Sequence, residues 1–291
     1  MRIILFLATN LAVLVLVSIV FSLLGFQGIL AANGVDLNLS ALLVFCALFG
    51  FGGSLISLLI SKWMAKRSTG TQIISEPRNP DEQWLLSTVQ ALAQNAGIGM
   101  PEVGVFPSDS ANAFATGWNR NSALVAVSAG LLQRFERNEV RAVLAHEIGH
   151  VANGDMITLS LIQGVINTFV MFFARIIGHT VDRVIFKTQR GYGIGYYIVT
   201  IVAEIALGFL ASMIVFRFSR FREYRADAAG ARLTTPVDMI AALQRLKLEQ
   251  GMPADLPGEM TAFGIRQGKT ALSALMSSHP PLDDRIKALQ S

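Results

Sequence analysis

Charged side chains are scarce in this sequence. Asp, Glu, Lys and Arg make up 15% of its 291 residues, where an ordinary soluble domain carries roughly 25%. The mean hydropathy is +0.50 and 52% of the residues are hydrophobic. That balance disfavours a wholly soluble protein and points to a membrane protein with some soluble mass. Cysteine is nearly absent. The single Cys46 sits in an apolar run, so no intrachain disulfide forms and the fold needs no oxidising compartment. No internal repeat and no low-complexity tract is present. What charge there is sums to +4, with a pI of about 9.5. The basic residues gather beside apolar segments: Lys62, Lys66 and Arg67 in one place, Arg217, Arg220, Arg222 and Arg225 in another. That is where membrane topology puts them, and nucleic acid is not expected as a partner.

Long apolar runs are abundant. Residues 3–35 contain no charge, and a bilayer core needs about 20 apolar residues in a helix. One span is expected between about Ile3 and Phe26. It is too long for a secretory signal, whose apolar region has roughly 7–15 residues, so an uncleaved anchor is expected although Ala31-Ala32 mimics a cleavage site. A second charge-free run covers residues 37–61. Its span starts near Ala41, and its Phe49–Gly53 stretch suits close helix packing in lipid. Arg2 before the first span and Lys62, Lys66 and Arg67 after the second predict that both ends face the cytoplasm.

Residues 156–174 are charge-free and residues 191–216 are apolar except for Glu204. They read as spans three and four. Between them lie Arg175, Arg183, Lys187 and Arg190 against Asp182. A basic loop belongs inside, whereas a full crossing puts this one outside, so the hairpin of 156–218 either crosses completely or stops short. Glu204 is costly in lipid and is expected to face other helices.

The polar stretch from Ser68 to Asp155 contains a linker at Ser75–Pro80. Residues 81–96 have helical periodicity, with Trp84, Leu85, Val89 and Leu92 on one side. Short strands are expected at 103–106, 111–116 and 123–127, then a helix near Ser128. Asn138 is expected to cap the next helix, which ends at Asn153-Gly154. After span four, residues 222–233, a segment from Pro236 and a last one from Asp283 read as helices, with a loop at 251–258. The domain reading is two spans in 1–62, the first part of a soluble domain in 63–155, a hairpin in 156–218 and the second part in 219–291.

His146-Glu147-Ile148-Gly149-His150 fits H-E-x-x-H. Two His four apart on a helix project from one face and can bind one ion, while Glu147 reaches a metal-bound water. The surrounding side chains are apolar, so an unpartnered carboxylate there carries a large desolvation cost that a divalent ion offsets. By itself the pattern also occurs by chance with both His structural. Glu223 and Asp227 follow span four and share a helical face. One can serve as a third ligand and the other can hold a ligand His. Alternatively they form a charged cap, with Glu223 paired to a nearby arginine.

Taken together, these motifs resemble the HtpX-type membrane metalloproteases, relatives of the CAAX prenyl endopeptidases in the gluzincin group. The resemblance runs over nearly the whole chain: two N-terminal spans, Asn112-Ala-Phe-Ala-Thr-Gly, the H-E-x-x-H helix with Asn153-Gly-Asp after it, Glu223-x-x-x-Asp227 beyond a hydrophobic hairpin, and Ser278-His-Pro-Pro-Leu. It implies a mainly α, integral membrane protein with four transmembrane helices and a zincin-like α+β protease domain holding a small sheet. It implies one zinc per subunit on His146, His150 and Glu223. Glu147 is then the general base, and Asp227 orients His146. His279 faces the developing oxyanion, and Arg285 positions it or a ligand carboxylate. Asn112, Ala113, Phe114 and Ala115 form an edge strand that pairs with an extended substrate. The implied partners are protein substrates, above all misfolded or damaged membrane proteins, and the lipid bilayer. The implied location is the bacterial cytoplasmic membrane, with the protease domain inside. Taken from the residues alone, Asn112–Ala115 also fits an ordinary strand, and His279 and Arg285 fit structural roles. The rival function is a non-proteolytic metal-binding membrane protein, a transporter or an adaptor. Glu147 separates the two, because metal binding alone does not need it.

Overall fold

The structure, a computed structural model, describes residues 37–249 and 279–291, with isolated positions at Ile19, Leu23, Gly25 and Gly28. The first expected span lies outside them apart from those positions, as do Ala31-Ala32, the expected loop at 251–258 and Ser278. In chain order the elements are α1 (Leu39–Thr69), β1 (Gln72–Ile73), α2 (Pro80–Ala96), β2 (Glu102–Phe106), β3 (Ala113–Gly117), β4 (Ala123–Ser128), α3 (Ala129–Arg134), α4 (Arg137–Asn153), α5 (Asp155–Val184), α6 (Ile194–Leu233), α7 (Pro236–Glu249) and α8 (Leu282–Gln290). The chain divides into two compact units, one of residues 1–56 with 160–213 and one of 57–159 with 214–291. Three described helices, α1, α5 and α6, are long and apolar enough to cross a membrane.

Small residues let helices approach in the first unit. A methyl group at Gly50 would lie 2.5 Å from the Thr168 hydroxyl and 2.9 Å from the Gly164 carbonyl, so the Phe49–Gly53 stretch packs closely as expected. The Ser160 hydroxyl donates to the Ser54 carbonyl at 2.8 Å. Glu204 does face another helix, and its partner there is Arg175 at 3.0 Å. The expected basic loop is therefore smaller than the sequence implied. Arg175, Asp182 and Arg183 belong to α5. Asp182 takes the Gly193 N–H and the Thr188 hydroxyl, and Arg183 donates to the carbonyls of Thr188 and Gly191.

The second unit is built on a four-stranded mixed sheet of order β1-β2-β4-β3. β2 and β4 are parallel, and the outer pairs are antiparallel. β4 is buried along its whole length. Ala123, Val125 and Val127 join the main core with Leu85, Val89, Leu144, Ile148 and Leu243. Leu124 and Ala126 pack on the other face with Phe106, Phe114 and Ala65 of α1. Each fully buried Leu, Ile or Val contributes about 1.5–3 kcal/mol.

Local signals set the helix ends. The Asn79 side chain accepts the Glu82 N–H at 2.8 Å, with Pro80 in the first turn of α2, and Gly97 ends the helix at φ +66°. The Ser128 hydroxyl accepts the Leu131 N–H and so caps α3. α4 starts earlier than expected. Glu136, not Asn138, is its N-cap, and the Glu139 carboxylate accepts the Glu136 N–H at 2.9 Å in a capping box. Two further differences have physical causes. β1 is only two residues long, too short for a pattern to register. Span four and the helix expected at 222–233 form a single element: α6 is continuous over 40 residues. The change there is from apolar to charged side chains, and arginine is a good helix former.

Candidate metal centre

α4 is the central helix of the second unit, packed against α2, α7, β3 and β4. Its residues from Ala142 to Gly149 are all buried, His146 and Glu147 among them. Two glycines bring α6 against it. A methyl group at Gly149 would lie 2.9 Å from the Ala229 methyl and 3.2 Å from the Ala226 carbonyl. One at Gly230 would lie 3.0 Å from Met239 Sδ and 3.2 Å from the His146 nitrogen. This contact sets Glu223 and Asp227 of α6 beside the two His of α4.

The resulting geometry is convergent. His146 Nδ1 meets Asp227 Oδ1 at 2.9 Å, and His150 Nδ1 meets Asp155 Oδ2 at 2.8 Å. The Nε2 atoms of both rings face one another 3.1 Å apart. Glu223 Oε1 lies 3.2 Å from His150 Nε2, and Oε2 lies 3.6 Å from His146 Nε2. His146, His150 and Glu223 each offer one ligand atom, all within 4.8 Å of one another. With both Nδ1–H groups donated to carboxylates, each Nε2 presents a lone pair. Two lone pairs and a carboxylate oxygen then converge on one point, which a cation satisfies. A metal ion fits this donor set.

A proton answers the same need, as the electrostatics of the pocket show. Burial disfavours a charged His150, yet its bonds to Asp155 and Glu223 and the carboxylates of Glu223 and Glu147 outweigh burial and push its pKa up to about 10. Burial likewise opposes charge on His146, and Asp227 and Glu223 more than reverse it. The acids divide. Burial drives the Glu147 carboxyl up, only partly countered by the two His. Burial also pushes on Glu223, but the electrostatic influence of His279 and hydrogen bonds from His146, His150 and His279 hold it well below the usual range. Asp227 is held down against burial by Arg285 and His146. Two carboxylates thus stay ionised while a third is poised to take a proton, the division that acid–base chemistry uses.

The C-terminal residues complete the cluster. Arg285 is 2% exposed. Its Nε and Nη2 bind Asp227 at 2.7 and 2.6 Å, and its Nη1 lies 3.4 Å from Glu223 Oε2. His279 Nδ1 meets Glu223 Oε2 at 2.5 Å. The structure therefore brings His146, Glu147, His150, Glu223, Asp227, His279 and Arg285 together.

The expected substrate strand is part of an element that packs against α4. Ala113, Phe114 and Ala115 belong to β3, which pairs only with β4 among the described residues. Asn112 precedes β3. It is buried, gives its N–H to Ser128 Oγ and accepts the Ala113 N–H on its own side chain.

Asp155 belongs to the Asn153-Gly-Asp motif, but the sequence alone gives it no role. Its spacing, five residues after His150 and just past a helix-ending glycine, was the available signal. Arg222 donates to the Asp155 carbonyl at 3.2 Å and to Ser219 Oγ at 2.8 Å, so α6 fixes this residue too.

Comparison with known families matches residues 79–291 to peptidase family M48. The whole chain is 70% identical over 291 residues to "Protease HtpX" of Pseudomonas putida (strain GB-1), covering 100% of this chain and 99% of that relative. It is 69% identical to "Protease HtpX" of Pseudomonas syringae pv. syringae (strain B728a), with the same coverage. In fold it is similar to the crystal structure of S. mikatae Ste24p, with a TM-score of 0.61 at 18% identity, over 96% of this chain and 67% of that one.

Proposed function

The chain belongs to peptidase family M48 and is a membrane metalloendopeptidase; from that premise we propose that its metal is zinc, one per subunit, held by His146, His150 and Glu223, and that Glu147 is its general base. The observation that carries this reading is that His146, His150 and Glu223 each offer one ligand atom within 4.8 Å of the others, with the two Nε2 atoms 3.1 Å apart and a Glu223 oxygen near each, Oε1 at 3.2 Å from His150 and Oε2 at 3.6 Å from His146. Zinc bonds of about 2.0–2.2 Å in a tetrahedron put ligand atoms about 3.3–3.6 Å apart. A His, His, Glu set also leaves a fourth position for water, as catalytic zinc requires.

When bound, zinc supplies Lewis acidity, polarising the scissile carbonyl and bringing the pKa of water to roughly 7. Glu147 takes the proton of the attacking water and hands it to the leaving amine. Burial raises its pKa, which favours its taking that proton. Asp227 and Asp155 hold His146 and His150 in the tautomer that presents Nε2. Arg285 pins Asp227 in turn. His279 donates to the oxyanion of the tetrahedral intermediate. Asn112–Ala115 at the sheet edge takes an extended substrate by main-chain hydrogen bonds, a mode tolerant of sequence.

The substrates are misfolded or damaged membrane proteins, and the enzyme sits in the bacterial cytoplasmic membrane with the protease domain inside. The three membrane-type helices and the basic residues flanking them support this placement. The test uses the full chain in vesicles with a misfolded membrane protein as substrate. Glu147→Ala is expected to retain one zinc and lose cleavage. Undiminished cleavage by that variant in a clean preparation overturns the assignment of the base.

A further inference from the structure

We propose that one end of the sheet in the second unit docks on the lipid surface, with Trp118 and Met100 seated in the headgroup–acyl boundary beside Trp63. Register identifies that end. Glu102 begins β2 opposite Leu124, and Gly117 ends β3 opposite Ala123. The segment 97–101 and the hairpin turn 118–122 therefore leave the sheet at the same end. The Gly99 N–H donates to Asn121 Oδ1 at 3.0 Å and ties them together.

Helix α1 supplies the direction. Gly70, just past its end, lies against Pro107 at the opposite end of the sheet. Lys62 and Lys66 both pair with Glu102. Followed backwards, α1 thus runs from the Pro107 end to the Glu102 end, and then into exposed apolar residues, Ile60 and Leu59.

The side chains at that end suit lipid. Trp118 is 49% exposed, Met100 46% and Trp63 62%. Residues 94–101 and 117–123 contain a single charge, that of Arg120, which is exposed. Glu102 is neutralised by its two lysines, so the local balance is basic. The other end differs: the cleft beside Phe106 and Pro107 is lined by Asp81, Glu82 and Arg137. Tryptophan at the water–lipid boundary with a basic neighbour is the pattern of an interfacial anchor. A long apolar helix entering the bilayer a few residues from Trp63 fixes the occupant as the same membrane.

The chain has three tryptophans, which makes the test direct. The full chain carrying Trp63→Phe and Trp84→Phe, reconstituted in vesicles of phosphatidylcholine and phosphatidylglycerol, reports on Trp118 alone. Acyl chains brominated near the headgroup are expected to remove roughly half its emission, as for a ring lying about 5–10 Å deep. Aqueous iodide should leave it nearly unchanged. A chain keeping only Trp84, at the other end of the sheet, should respond in the opposite sense. Quenching of Trp118 by iodide and not by bromine overturns the proposal, because the tip then faces water. Shielding from both overturns it too, because the tip is then covered by protein. Should the double variant fail to fold, Trp118→Phe alone gives the same answer by difference: the bromine-quenchable emission falls if the proposal holds and stays constant if it does not.

Discussion

Replacing Gly149 by alanine should weaken zinc binding without touching a ligand. The added methyl would lie 2.9 Å from the Ala229 methyl and 3.2 Å from the Ala226 carbonyl. Carbon atoms settle at about 3.5–4.0 Å, so α4 and α6 must part by about 0.6–1.1 Å. Metal sites tolerate ligand displacements of about 0.2 Å. His150 follows directly on α4, and Glu223 lies on α6, so the strain falls on the ligand set. Loss of zinc affinity by about 10–100-fold is expected, the scale set by removing groups that orient ligands. Stability is a poorer reporter. Alanine gains about 0.8–1 kcal/mol of helix propensity, while overpacking costs about 1–3 kcal/mol, leaving a net change of about 0–2 kcal/mol. The assay is competition against a fluorescent zinc chelator with the full chain at fixed pH. Gly53→Ala serves as control, since a methyl there meets nothing within 4 Å. Native affinity in Gly149→Ala would refute the claim that close helix approach builds the site.

Asp155→Asn should lower zinc affinity by about 10–100-fold through loss of the bond that orients His150, measured by the same competition. Asp227→Asn should in addition lower the melting temperature sharply, because it leaves the buried Arg285 without its main partner, a change of about 3–5 kcal/mol; equal melting curves for the two variants would contradict this. In the chelated protein His150 has a pKa raised from 6.5 to about 10. A raised folded pKa stabilises below the unfolded value and is lost as pH rises through the folded one. Melting temperature after chelation should therefore fall between pH 6.5 and about 10, a trend that differential scanning fluorimetry detects and that bound zinc should suppress.

The proposed metal site was legible in part because helical spacing is a local rule: His146 and His150 are four positions apart, and so are Glu223 and Asp227. Their meeting was not derivable from either pattern, since it depends on what Gly149 and Gly230 lack. The roles of Asp155 and Arg222 were hidden for a similar reason. A carboxylate after a helix-ending glycine reads as an ordinary cap until the ring it touches is located. The sheet was readable strand by strand from runs such as Ala123–Val127, but not its order, which places β3 at an edge, paired with β4 alone among the described residues. The continuity of α6 past Phe216 is not legible in the sequence, because a change of side-chain polarity leaves backbone hydrogen bonding untouched. Charge placement in the hairpin was misjudged. Arg175 reads as a loop cation in one dimension, yet it pairs with Glu204 across 29 residues.

X-ray absorption at the zinc edge, on the purified full chain, tests the central claim most directly. The account predicts one tightly held zinc with two imidazole nitrogens and carboxylate oxygen at about 2.0–2.2 Å, and loss of one imidazole shell in His150→Ala. A protein that holds no zinc, or whose zinc shows a ligand shell unchanged by that substitution, would contradict it.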